Sequence, residues 1–274
     1  MKESIQVSDI EIGNKKKLTV VAGLNILETE EQTLTVAKHL EKILSKTGNP
    51  FIFKASFDKA NRSSVDSYRG LGMDKSLSIF KTLKEEKLNL ITDVHEIDQV
   101  EKISQVADII QIPAFLCRQT DLIKAACETN KPLNIKKGQF LSPEQVENIF
   151  EKCSNFNNEN IMICERGTSF GYNNLIVDML GVSKMKEFGA PVIFDVTHSL
   201  QLPGNRGTSA GGRASQALDL ALSGTALGIA GLFIEVHPEP SKALCDGPSA
   251  TKLNDFEALI KKVSLLDNLV KNFK

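Results

Sequence analysis

Phe51-Ile52-Phe53-Lys54-Ala55-Ser56-Phe57-Asp58-Lys59-Ala60-Asn61-Arg62-Ser63-Ser64 passes without a break from an apolar run into a segment crowded with anion-binding donors. Residues 54–64 hold three cations, an amide and three hydroxyls. Lys contributes a point charge and Arg a planar fork suited to phosphate, so the segment reads as the mouth of a site for phosphorylated compounds. The same order, a short buried strand and then a polar tip, recurs along the chain and decides the fold. Apolar or β-branched runs at 18–22, 51–53, 88–92, 109–112, 133–135, 161–164, 192–194 and 231–234 alternate with helix-patterned stretches. All eight are too apolar for a sheet with one wet face. They predict parallel strands covered by helices, and their number matches a (β/α)8 TIM barrel of the α/β class.

The intervening segments carry helix signals. Residues 30–44 place Leu34, Ala37, Leu40, Ile43 and Leu44 at helical spacing, and Gly48-Asn49-Pro50 supplies the stop. Ser142-Pro143-Glu144-Gln145 predicts a helix start with Ser as cap, Pro in the first position and Gln at the capping-box offset. Residues 256–270 repeat apolar side chains at helical spacing and are expected to close the barrel wall. Ile5-Gln6-Val7 and Ile10-Glu11-Ile12 alternate instead, which suggests a hairpin or plug over residues 1–17. The 274 residues are expected to form one barrel domain.

Bulk properties narrow the function classes. With 33 Lys plus Arg against 34 Asp plus Glu the net charge is near zero, so no nucleic-acid partner is expected and any anion site must arise from local clustering. No apolar run approaches the roughly 20 residues a membrane span needs, and the start Met1-Lys2-Glu3-Ser4 lacks a secretory core, which predicts a cytoplasmic protein without membrane association. Five scattered cysteines, at 117, 127, 153, 164 and 245, contain no Cys-x-x-Cys pair and read as reduced thiols.

In a barrel the active face lies at the carboxyl ends of the strands. Lys54, Asp93, Gln111, Lys137, Arg166, His198 and Glu235 lie in the segments that follow the apolar runs. Lys137 and Arg166 could clamp one phosphate, with Asn61, Arg62 and Ser63 holding a second at the rim. Ordinary surface ion pairing is the plain alternative for Arg62 and Lys137. His198, Glu235 and Asp246 are a workable divalent-ion set by chemistry, although their separation in sequence proves nothing, and His198 could equally be a satisfied buried imidazole. His39 and His237 are weaker candidates. Residues 203–213, with four glycines and two arginines, could form a lid or simply a long surface loop.

The stretches K-A-S-F-D-K-A-N-R-S-S at 54–64, I-T-D-V-H-E at 91–96, Q-I-P-A-F-L-C-R-Q-T-D at 111–121, N-I-K-K-G-Q-F at 134–140, F-D-V-T-H-S at 194–199 and C-D-G-P-S-A at 245–250 closely resemble the 3-deoxy-D-manno-octulosonate 8-phosphate synthase family. The resemblance implies condensation of phosphoenolpyruvate with D-arabinose 5-phosphate and water, giving the eight-carbon sugar phosphate and inorganic phosphate, a step toward lipopolysaccharide precursors. By matching motif, Lys59, Lys137 and Arg166 would bind phosphoenolpyruvate, with Ser56, Gln111 and the Ala114-Phe115 backbone completing its pocket. Arg62 and Ser63 would take the sugar phosphate, while Asn61, Lys54 and Asp93 address the rest of the sugar. Metal-dependent members carry a Cys ligand where this chain has Asn25, so the resemblance points to the metal-independent subgroup, with no cofactor. Asn25, Lys54, Asp93, His198, Glu235 and Asp246 then form the catalytic set, and the family implies a homotetramer. A heptulosonate-forming synthase, a non-catalytic sugar-phosphate binder and a metal-dependent hydrolase are the competing readings.

Overall fold

The computed structural model describes residues 1–62, 64–203 and 211–273. A hairpin, β1 (Ser4–Val7) and β2 (Ile10–Gly13), precedes eight parallel strands. These are β3 (Thr19–Ile26), β4 (Phe51–Ser56), β5 (Leu90–Asp93), β6 (Ile109–Ile112), β7 (Leu133–Lys136), β8 (Ile161–Glu165), β9 (Val192–Asp195) and β10 (Gly231–His237). Each pairs with the next in order, and β10 pairs back onto β3, with Glu235 opposite Gly23, closing a (β/α)8 barrel. Seven of the eight expected runs become strands that extend farther toward their polar tips, because those side chains face one another inside the barrel mouth instead of water.

Helices cover the outside: α1 (Glu30–Thr47), α2 (Met73–Glu85), α3 (Ile97–Ser104), α4 (Thr120–Glu128), α5 (Val146–Asn155), α6 (Met179–Glu187), the single turn α7 (Val196–Ser199), α8 (Ala217–Ala226) and α9 (Leu253–Asn272). Helix α1 is capped by Thr29, whose side chain accepts from Gln32 N–H, and it ends where Gly48 adopts the left-handed conformation at φ 67°. Helix α5 begins three residues later than its Ser142-Pro143 signal implies. The reciprocal half of the capping box is present, since Ser142 N–H donates to Gln145 Oε1 at 3.0 Å. The intervening backbone is tightened by i to i+3 bonds, with Gln145 N–H donating to the Ser142 carbonyl and Val146 N–H to that of Pro143, so the first turn is 3₁₀-like.

Strand alternation creates two cores. Leu133, Ile135, Phe53 and Ile110 face the helix layer, while Val21, Ile52, Ile91, Ile109, Met162, Cys164, Ile193 and Phe233 point inward. The hairpin supplies Ile5, Val7, Ile10 and Ile12 to that inner core and so plugs the amino-terminal end of the barrel. Ile12 is fully buried. Ile12→Ala should therefore lower the unfolding free energy by about 2–5 kcal/mol, and Gln6→Ala, on the exposed face of the same hairpin, by far less. Denaturant midpoints at unchanged slope measure both, and equal effects would mean that the hairpin is no plug.

Candidate active site

Two residues beyond the inner apolar layer, six of the eight strands turn polar. Lys54 follows Ile52, Asp93 follows Ile91, Gln111 follows Ile109, Arg166 follows Cys164, Asp195 follows Ile193 and Glu235 follows Phe233. These side chains line one cavity at the carboxyl end of the barrel, together with Lys136. The loops add Lys59, Asn61, Arg62, Ala114, Phe115, Gln139, His198, Gln201 and Asp246 to its wall. Asn25 reaches the cluster from β3. Its Nδ2 donates to Glu235 and, at 3.2 Å, to Asp246 Oδ2.

Lys137 is not in this cavity. Its Nζ donates to the Leu141 carbonyl at 3.2 Å and Thr168 Oγ1 at 3.1 Å, and lies 3.5 Å from Glu165 Oε2. Strand phase is the reason: Leu133 and Ile135 face the helices, so Asn134 and Lys136 face inward and Lys137 falls outside. The cation beside Arg166 is Lys136, one residue earlier than the sequence reading chose. Ser56 ends β4 with its Oγ buried and without a hydrogen-bond partner, in phase with Lys54. Ser63 and residues 204–210 of the expected lid lie outside the described residues.

Asp195, like Lys136, Gln139 and Gln201, lines the cavity without being among the expected site residues. It caps α7 by accepting His198 N–H at 2.9 Å, accepts from His198 Nδ1 at 2.8 Å and pairs with Lys136. This fixes the ring with Nε2 3.7 Å from Glu235 Oε2. Lys136 Nζ also sits 3.2 Å from the centroid of the Phe233 ring, a cation held over an aromatic face. Its signal was readable in the alternation of β7. Asn134 Nδ2 donates to Gln111 Oε1 at 3.0 Å, leaving the Gln111 amide nitrogen to serve as a donor.

The charges are buried and mutually paired. Burial raises the Asp93 and Asp195 carboxyls, but Lys59 and His95 around the first, and His198 and Lys136 around the second, outweigh it and hold both well below the usual carboxylate range. Burial lowers Lys54 despite the adjacent Glu235, making its ammonium a readier proton donor. Lys59 is driven the other way, since Asp93, Glu235 and Asp246 overcome its desolvation.

Glu235, opposed by its own burial but facing Lys54, His198 and Lys59, is lowered to about 2 from 4.5. A depressed carboxylate stabilises the fold above its ordinary pKa and loses that contribution as pH falls toward the folded value. The difference in unfolding free energy between wild type and Glu235→Gln should therefore shrink as pH drops from about 4.5 to about 2. Denaturant titrations across that range check it, and a difference that stays constant would show that Glu235 is not held in its charged form.

The model of the DAHP synthetase I family matches residues 2–272. A 2-dehydro-3-deoxyphosphooctonate aldolase of Hahella chejuensis is 51% identical over 271 residues, covering 98% of this chain and 96% of its own. Proteins of the same name from Pseudomonas fluorescens and Shewanella denitrificans are 52% and 53% identical, covering 98% and 96% of this chain and 96% and 93% of theirs. With the motifs of the strand tips brought to one barrel mouth and likeness running the length of these relatives, the chain belongs to the DAHP synthetase I family, alongside the 2-dehydro-3-deoxyphosphooctonate aldolases.

Proposed function

We propose that this protein is a 3-deoxy-8-phosphooctulonate synthase, condensing phosphoenolpyruvate with D-arabinose 5-phosphate and water in the making of a lipopolysaccharide precursor. One observation carries the reading: Lys136 and Arg166, Lys59, and the rim pair Asn61 and Arg62 open on the same cavity as His198, Glu235 and Asp246. Two phosphomonoesters need separated cationic subsites, and the chemistry between them needs groups of differing proton affinity.

In this reading Lys59, Lys136 and Arg166 hold the phosphoenolpyruvate anion, with Gln111 and the Ala114-Phe115 backbone closing its pocket. Arg166 Nη1 and Gln139 Oε1 are buried without partners among the described residues, and a ligand would satisfy them. Arg62 takes the sugar phosphate, and Asn61 and Asp93 align the sugar. As the enol carbon joins the aldehyde, negative charge grows on the aldehyde oxygen and positive charge on the phosphate-bearing carbon. Lys54 is placed to protonate the oxygen, while Glu235 and Asp246 stabilise the cationic centre. Water then attacks that carbon, His198 accepts its proton through Nε2, and collapse of the hemiketal phosphate expels inorganic phosphate.

We read the reaction as metal-independent. The Asn25 amide donates a hydrogen to both carboxylates that a cation would need, and a neutral amide replaces a thiolate poorly. The expected homotetramer rests on the family resemblance. It is supported by exposed Phe115, Phe140, Phe170 and Tyr172 on successive loops of the barrel mouth, a surface suited to cover by protein.

Chelator-treated protein should release phosphate from phosphoenolpyruvate with arabinose 5-phosphate and far less with erythrose 4-phosphate. Loss of turnover that a divalent ion restores would overturn metal independence, and preference for the four-carbon sugar would overturn the substrate. Asn25→Cys should retain metal through dialysis, which metal analysis reads directly. Lys136→Met should lower kcat/KM by roughly 100-fold or more, since it removes a charge that acts on the reacting anion, and should also cost stability by taking a partner from buried Asp195. Lys137→Met should act mainly on stability. The opposite ranking in steady-state kinetics of the folded variants would return the anion contact to Lys137.

A further inference from the structure

Glu28 and His237 take no part in the reaction proposed above, yet they are joined where the last barrel strand meets the first. Their significance lies in the backbone of Asp246, which is left-handed at φ 49°, ψ 25°. That conformation is uncommon for a residue with a side chain and persists only where its surroundings hold it. On the downstream side the Asp246 carbonyl accepts Ser249 N–H at 3.0 Å and Ala250 N–H at 3.2 Å. Gly247 lets this turn close tightly, because a Cβ there would lie 2.2 Å from the Pro240 carbonyl oxygen.

On the upstream side, Leu244 N–H donates to Glu28 Oε1 at 3.0 Å. Glu28 belongs to the loop that follows β3, three residues after Asn25. The loop that follows the amide-bearing strand therefore grips the loop that supplies the carboxylate. His237 backs this grip from the end of β10, with Nε2 3.5 Å from the Glu28 carboxylate and Nδ1 accepting Glu239 N–H at 3.0 Å. Because Nδ1 accepts, the neutral ring carries its proton on Nε2, which faces the Gln32 amide at 2.9 Å. Turning that amide so that its oxygen meets the ring also gives a partner to Gln32 Oε1, which otherwise has none.

We propose that Glu28 and His237 form a positioning brace that sets the approach of Asn25 to Asp246, and with it the amide–carboxylate cluster on which turnover depends. The inference rests on the function proposed above. Glu28 and His237 touch no residue of the phosphoenolpyruvate subsite, while the gripped loop reaches the sugar-phosphate end through Cys245, which accepts from Arg62, so the brace acts on the chemical step and the sugar-phosphate end and not on capture of phosphoenolpyruvate.

The test uses the full chain carrying His237→Ala, His237→Asn or Glu28→Ala, with steady-state kinetics on phosphoenolpyruvate and arabinose 5-phosphate and amide hydrogen exchange read by peptide. His237→Ala and Glu28→Ala should lower kcat by up to about 100-fold, the scale on which a misplacement of about 1 Å in a reacting constellation acts. KM for phosphoenolpyruvate should hold, because β7 and β8 carry Lys136 and Arg166. Exchange should accelerate in peptides spanning 238–246, while peptides from β6 and β7 keep their protection. His237→Asn, which restores an acceptor for Glu239 N–H but cannot reach Glu28, should recover only part of the loss. Wild-type kcat and wild-type exchange in both alanine variants would overturn the brace, as would wild-type kcat in the asparagine variant, since the Glu28 contact would then be idle. If the wild-type protein itself fails to turn over these substrates, the proposed function falls, while the exchange measurement still judges the brace.

Discussion

The molecule turns on a switch of polarity within a single strand step. Ile52, Ile91, Ile109 and Ile193 fill the barrel axis, and two residues later Lys54, Asp93, Gln111 and Asp195 occupy the next layer. Taking such charges out of water costs several kcal/mol per ion, recovered only with partners in good geometry. Lys54 with Glu235, and Lys136 with Asp195, are those partners. The apolar layer below, sealed by the hairpin, keeps water from entering behind them. A barrel without that seal would hydrate its charges and loosen the cluster.

Pairing is incomplete in a particular way. Asp93 Oδ1, Ser56 Oγ, Gln139 Oε1 and Arg166 Nη1 are buried and unpartnered, and each belongs to the inner layer or the loops that roof it. Buried polar atoms are rarely left so in a settled core. Of these residues, Asp93, Gln139 and Arg166 line the cavity, where an anion and a polyol could supply partners. Binding then completes existing hydrogen-bond sets without rebuilding them, which is how a preorganised site avoids reorganisation during reaction.

Strand positions were legible because parallel barrel strands are buried on both faces and read as apolar runs. Side-chain direction was harder to read. Lys136 and Lys137 are adjacent cations, and choosing between them required the phase of Leu133 and Ile135 against the helix layer. Asp195 escaped for a related reason: attention fell on His198, and the carboxylate that orients it lies one turn earlier at the strand end. Ser142 carried the right cap chemistry, yet Pro143 and the following turn tightened into i to i+3 bonds before α5 began. Local signals specify that a turn starts, while packing decides how it winds.

The cluster of Asn25, Glu235 and Asp246 could not be inferred from spacing at all, since it joins residues 210 and 221 positions apart. It exists only because β10 pairs with β3, the last closure of the barrel. Contacts of such separation form after most of the chain is ordered, because the loop entropy must be met first. Reactive geometry and barrel closure are therefore one event here. The clamp proposed for Lys136 and Arg166 spans the adjacent strands β7 and β8, whereas the amide–carboxylate cluster needs β10 against β3.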